Sequence, residues 1–154
     1  MQLSDFLDFD AITTRLSAGN KRSLLQHLSN LAAQRLGVDA AQILASVSER
    51  EQLGSTGFGQ GVAIPHGKIE GLSQIYGLFA RLAEPIDYKA IDGRPVDLVF
   101  LLLSPADCGA EHLKALAAIS RVIRNVPILE KVRGARSRDA LAAVLMGADE
   151  RDAA

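Results

Sequence analysis

The sequence predicts an α/β fold, one sheet sandwiched between helical layers, and three observations predict it. Helical and strand periodicities interleave along the chain instead of separating into blocks. The run Leu98-Val-Phe-Leu-Leu-Leu103 is apolar at every position, as in a central strand covered on both faces. Amphipathic stretches with cap residues at their ends precede and follow the strand candidates.

Element by element, Asn20 is placed to cap a helix over Lys21 to Leu36, where Leu24, Leu25, Leu28, Leu31, Ala32 and Leu36 form an apolar stripe and Gly37 ends it. Asp39 followed by Gln42 resembles a capping box and starts a second helix, with Ile43, Leu44 and Val47 inward, reaching about Gln52. Strands are expected around Gly61 to Ile64, Ile75 to Leu82 and Val96 to Leu103, with a turn at Asp92-Gly93. Another helix runs from about Ala110 to Asn125, and Pro127 interrupts it. A short final helix starts after Ser137 with Leu141, Val144 and Leu145 facing in, and the polar tail from Asp149 to Ala154 is expected to fray.

Composition bounds the function. A chain of 154 residues with 48% hydrophobic content suits one domain with a substantial core. Net charge is −1 and the basic residues are scattered among carboxylates, which argues against nucleic acid as a partner. The apolar run to Leu103 is too short to span a bilayer, and Met1-Gln-Leu-Ser-Asp5 lacks the pattern of a secretory signal, so a cytoplasmic protein without membrane insertion is expected. Cys108 is the single cysteine and reads as an inert loop thiol.

The stretch Gly54-Ser-Thr-Gly-Phe-Gly-Gln-Gly-Val-Ala-Ile-Pro-His-Gly-Lys68 carries the chemistry. Gly54, Gly57, Gly59 and Gly61 permit positive φ and close approach of an anion to amide N–H groups, and Ser55 and Thr56 add hydroxyl donors. Val62 and Ile64 share a strand face, so His66 continues on that face just past Pro65, which is expected to end regular pairing. Two better-known glycine motifs fail here. A P-loop needs four residues between its glycines and then Lys-Ser or Lys-Thr, whereas Lys68 precedes Ile69. A dinucleotide fingerprint opens a helix, whereas these glycines lead into an apolar strand. What remains is a histidine beside a glycine-lined hollow. Imidazole is a nucleophile largely neutral at pH 7, whereas the glycines alone would equally describe a hairpin loop followed by a surface histidine.

At these residues the chain resembles the phosphorylation-site signature of enzyme IIA proteins of the bacterial phosphotransferase system, in the fructose/mannitol superfamily. The resemblance extends through Pro85-Ile-Asp-Tyr-Lys-Ala-Ile-Asp-Gly-Arg-Pro-Val-Asp97 to Glu111-His112-Leu-Lys-Ala-Leu-Ala117, and these later segments look closest to the nitrogen-related branch. Gln60 stands where the family usually carries Asn, and Ser104 where an apolar residue is expected. The resemblance implies a single domain over 1–154 with its core at about 5–147 and a mixed sheet of about five strands flanked by helices on both faces. It also implies a phosphotransferase-system component that accepts a phosphoryl group on His66 from a histidine-phosphocarrier protein and regulates targets such as transporters or sensor kinases. No cofactor is implied.

By helical spacing alone, His112 reads as a packing residue aligned with Leu116, Ile119 and Ile123, and Arg50 as part of a solvated helix end. The resemblance makes His112 a second active-site histidine and Arg50 the guanidinium facing the phosphoryl group. Ser55, Thr56 and Gly57 are then the candidate phosphoryl-binding residues, with Lys68 a weaker one. His27 matches no motif and reads as a surface residue. Asp92, Asp97 and Asp107 lack the spacing of a metal site, so no metal is expected. The rival readings are a sugar-specific enzyme IIA serving a permease, a non-catalytic protein-binding module in which His66 is structural, and a small hydrolase, for which no ordered Ser/Asp partner set exists.

Overall fold

The structure is a computed structural model that describes residues 1–153, and side chains as far as Ala148. Two single-turn 3-10 helices, Leu3–Asp5 and Phe9–Ala11, lead into β1 (Thr13–Leu16). Then follow α1 (Lys21–Leu36), α2 (Ala40–Gln52), the short strands β2 (Gly57–Gly59), β3 (Val62–Ala63) and β4 (His66–Ile69), the long strands β5 (Tyr76–Ile86) and β6 (Val96–Pro105), and the helices α3 (Ala110–Ile123), α4 (Val126–Gly134) and α5 (Arg138–Ala153).

The sheet has six strands in the order β1-β5-β6-β3-β2, with β4 also on β6. It is mixed: β5 runs antiparallel to β6, whereas β1 is parallel to β5, and β3 and β4 are parallel to β6. The apolar run in β6 accounts for its central place. Leu98, Phe100 and Leu102 point into one core with Val62, Ile64, Phe79 and the α3–α5 side chains. Val99, Leu101 and Leu103 point into the other, with Leu78, Ala80 and the stripe of α1. Each such leucine contributes roughly 1.5–3 kcal/mol relative to exposure, which fixes both register and layer order.

The helix ends follow their caps. Asn20 accepts from Ser23 N–H at 2.8 Å, and Gly37 closes α1 in the left-handed region. Asp39 caps α2 through Ala41 N–H, but the expected capping box does not form, and the Gln42 amide NH2 reaches the Glu70 carbonyl on the neighbouring turn. Pro127 does more than interrupt a helix. Asn125 accepts from Ile128 N–H and opens α4 with Pro127 in its first turn, where a missing N–H has no cost. The last helix is longer than expected, running through Asp149 to Ala153 where fraying is expected, while the side chains from Asp149 on, and Ala154 altogether, lie outside the described residues.

Pro65 does not end the pairing as expected. It interrupts it, and pairing with β6 resumes at His66, opposite Leu102. The Pro65 carbonyl still accepts from Leu102 N–H, so β3 and β4 act as one strand with a kink. On the other side of β4, α2 comes into direct contact: a Cβ on Gly67 would lie 2.5 Å from Ser46 Oγ, and that hydroxyl donates to the Lys68 carbonyl at 2.9 Å. Ser46 and Arg50 are one turn apart on the same helix face, so this contact sets how far Arg50 stands from His66.

Candidate functional site

Parity along the kinked strand puts His66 on the same sheet face as Val62 and Ile64, under the first turn of α3. There His112 meets it, with ring centroids 5.4 Å apart and ring planes inclined by 50°. His66 Nδ1 lies 2.7 Å from the Ile64 carbonyl oxygen. A carbonyl only accepts, so Nδ1 carries the hydrogen and Nε2 is left with its lone pair.

His66 opens on a hollow of about 380 Å³ lined among others by Arg50, Ser55, Phe58, Ile91 and Leu116. A smaller one, about 240 Å³, lies on its other side, where Arg50 and Lys68 meet Ser46 and Leu53. A larger hollow of about 500 Å³ between α1 and α2, lined by Arg22, Gln26 and Ser48 among others, holds no comparable nucleophile. Burial is the main cause holding the His66 imidazole below its ordinary pKa; the Arg50 charge adds to it, and the Ile64 carbonyl and Glu51 act the other way. His112, 9% exposed, is pushed down to about 4 by burial, then by the nearby His66 and Lys68. Both rings are therefore neutral at pH 7, and Arg50 supplies positive charge between the hollows.

Two of the expected phosphoryl-binding groups are otherwise engaged. Thr56 lines the hollow, but its N–H donates to Glu51 Oε2 at 2.9 Å and its hydroxyl lies between Glu51 Oε1 and the Tyr88 hydroxyl, so neither is left for an anion. Gly57 gives its N–H to Ser55 Oγ at 3.1 Å. Ser55 accepts in that bond and keeps its own O–H to donate. The hollow is not glycine-lined either. Gly59, Gln60 and Gly61 turn the β2–β3 hairpin, with Gln60 at φ 61° and Gly61 at φ 77°. That turn is held by Arg133, which donates to the Gln60 carbonyl and pairs with Asp97, away from His66.

Asp92 accepts from Gln60 N–H in the same turn region. His27 is exposed on α1 and Cys108 is a half-buried free thiol. Glu51 was hidden in what reads as a solvated helix end, yet its side chain is 6% exposed and also takes a bond from Lys21 at 3.0 Å. Burial opposes its ionisation, but the bonds from Thr56, Lys21 and Tyr88 together outweigh burial and hold its pKa below the usual carboxylate value. A carboxylate followed five residues later by a hydroxyl at a helix-to-loop junction was the only sequence signal of it.

Comparison with known proteins places the chain in a family. The chain is 46% identical over 145 residues to a nitrogen regulatory protein of Bradyrhizobium diazoefficiens, covering 94% of this chain and 95% of that one. It is 34% identical to a fructose-specific EIIA component of Haloferax volcanii, covering 93% and 94%. The crystal structure of nitrogen regulatory protein IIA-Ntr from Neisseria meningitidis superposes with a TM-score of 0.87 at 34% identity, over 93% of this chain and 98% of that one. Residues 5–147 match the family described as phosphoenolpyruvate-dependent sugar phosphotransferase system, EIIA 2. With that match over nearly its whole length, the chain belongs to the EIIA 2 family and is a phosphocarrier component of the phosphotransferase system.

Proposed function

We propose that this protein accepts a phosphoryl group on Nε2 of His66 from the phosphohistidine of a histidine-phosphocarrier protein, and that it serves the nitrogen-related branch, regulating targets such as transporters or sensor kinases by its phosphorylation state. The observation that carries this reading is the Ile64 carbonyl on His66 Nδ1, which leaves the other ring nitrogen bare beside Arg50 and His112. In the step, the Nε2 lone pair forms the new N–P bond while the donor's N–P bond breaks, and the departing imidazole keeps that electron pair. The Nδ1 hydrogen stays on His66, where the Ile64 oxygen offsets the positive charge the ring acquires.

Arg50 and the Ser55 hydroxyl face the equatorial oxygens, and His112 assists without forming a bond to phosphorus. The exposed side chains Phe58, Ile91 and Leu53 rim the two hollows and suit a protein donor rather than a small molecule. The workplace is the cytoplasm on this reading; among the described residues no helix is long and apolar enough to cross a membrane.

The likeness to a fructose-specific component supports a second reading, in which the same phosphohistidine passes its group to a cysteine of a sugar permease. One experiment addresses both. Incubation with phosphorylated carrier protein should add one phosphoryl group, mapped to His66, labile in acid and stable in alkali. Retention of the group when a permease IIB domain is added supports the regulator, and loss to the IIB cysteine supports the sugar-specific component. A chain that gains no mass is a non-catalytic binding module.

A further inference from the structure

Ser104 is a polar residue at the end of the apolar run of β6, fully buried, on the sheet face that meets α3. Its Oγ lies 2.6 Å from His112 Nδ1. Among the described residues this hydroxyl has no second hydrogen-bond partner, and that decides the direction of the bond. If His112 carried its hydrogen on Nδ1, the serine would accept and its own O–H would be a buried donor with nothing to meet, a state that folded proteins rarely tolerate. If the serine donates, Nδ1 accepts, every buried donor is paired, and the ring hydrogen sits on Nε2.

We propose that Ser104 is a positioning residue that holds His112 in the tautomer opposite to that of His66. The two rings then play complementary parts. His66, tied to Ile64 through Nδ1–H, offers a lone pair, and His112, tied to Ser104 through bare Nδ1, offers an N–H to the oxygens of the incoming group. This inference rests on the phosphocarrier reading for its consequence, though not for the tautomer itself. Burial keeps His112 neutral at pH 7, so its charge alone cannot ensure that a donor faces His66; the choice between two neutral tautomers falls to the hydroxyl.

The test is nitrogen-15 NMR of the histidine rings in the unphosphorylated protein, followed by phosphorylation kinetics. In the wild type, His112 should show an unprotonated Nδ1 and a protonated Nε2, and His66 the reverse; a protonated His112 Nδ1 overturns the proposal. Ser104→Ala should let His112 sample both tautomers and slow phosphorylation about tenfold, the low end of what losing such a partner costs a metal-bound imidazole, at unchanged KM for the carrier. Ser104→Thr, which keeps the hydroxyl, should retain both the wild-type tautomer and most of the rate. Wild-type tautomers in Ser104→Ala, or altered tautomers with an unaltered rate, overturn it. The spectra need no phosphoryl donor. The stated tautomers in a chain that takes no phosphoryl group would therefore support the Ser104–His112 bond while removing the reading of His66.

Discussion

Two polar clusters flank the loop between α2 and β2, and they are built on opposite principles. Around Glu51, every group is used: the carboxylate accepts from Thr56, Lys21 and Tyr88, and Lys21 also lies 4.3 Å from the Tyr88 ring centroid. Around His66, each imidazole has one nitrogen engaged by the protein and one left over. A saturated cluster holds shape. A half-saturated one has capacity for a ligand, and its position in the fold keeps that capacity pointed into a hollow. The loop is thus held firmly on the Glu51 side, while on the His66 side Arg50 ties only the Gly54 carbonyl, at 2.9 Å.

The contrast is broken most completely at the nucleophile. His66→Ala should abolish phosphoryl acceptance while leaving thermal unfolding near that of the wild type, since the ring is half-buried at the site and not part of either apolar core. Intact mass after incubation with the phosphorylated carrier checks this, and full labelling of the variant would dismiss His66. Next in size, Arg50→Ala should slow transfer by ~10²–10³, the range for removing a donor aimed at developing charge, with a smaller effect on carrier docking. Rapid-quench kinetics with an unchanged rate would return Arg50 to the role of a helix-end charge.

Glu51→Ala attacks the saturated cluster and should register first as stability. It strands the Thr56 N–H, one of the paired Thr56 and Tyr88 hydroxyls and the partly buried Lys21 together, for a loss of about 3 kcal/mol in denaturant unfolding. A loss below one third of that would mean that water replaces the carboxylate cheaply.

The smallest expected effect is a pH dependence. The folded pKa values of His66 and His112 lie below the ordinary 6.5, so the folded state binds fewer protons than the unfolded one. Their contribution to stability is fully present above pH 6.5 and is lost as pH falls below it, for His112 down to about 4. Glu51 has the same sign, but its contribution is lost only below its unfolded value of 4.5. Between these limits the fall belongs to the histidines, and His112→Gln should flatten it in chemical unfolding at stepped pH. An identical slope in the variant would remove His112 from that account.

The layers and most elements were legible in the sequence, because periodicity and caps act locally: Asn20, Gly37 and the run to Leu103 state their structural roles without help from distant residues. β1 was not, since Thr13-Thr-Arg-Leu16 has no apolar alternation and takes strand form by pairing in parallel with β5. At the site, the motif led to His66, and the structure brings His112 and Arg50 to it. The donors expected of Thr56 and Gly57 are occupied in the structure, and sequence shows which groups are able to donate but not which are already paired. Tyr88, which occupies the Thr56 hydroxyl, lies 32 residues away. Ser104 was visible as an oddity in an apolar run, but its meaning depends on a helix that packs over it.

The bare backbone of Gly67 against Ser46 has a consequence for how this protein tolerates change. Two layers separated only by the short Ser46 side chain behave like a gauge block: the gap between the guanidinium-bearing helix and the histidine-bearing strand is set by one hydroxymethyl group and has little adjustment. One added methyl at Gly67 would act as a shim, prising Arg50 off His66 from beneath while every reacting group stayed chemically intact. Variation is therefore freer at the rim of the site than at this silent position under it.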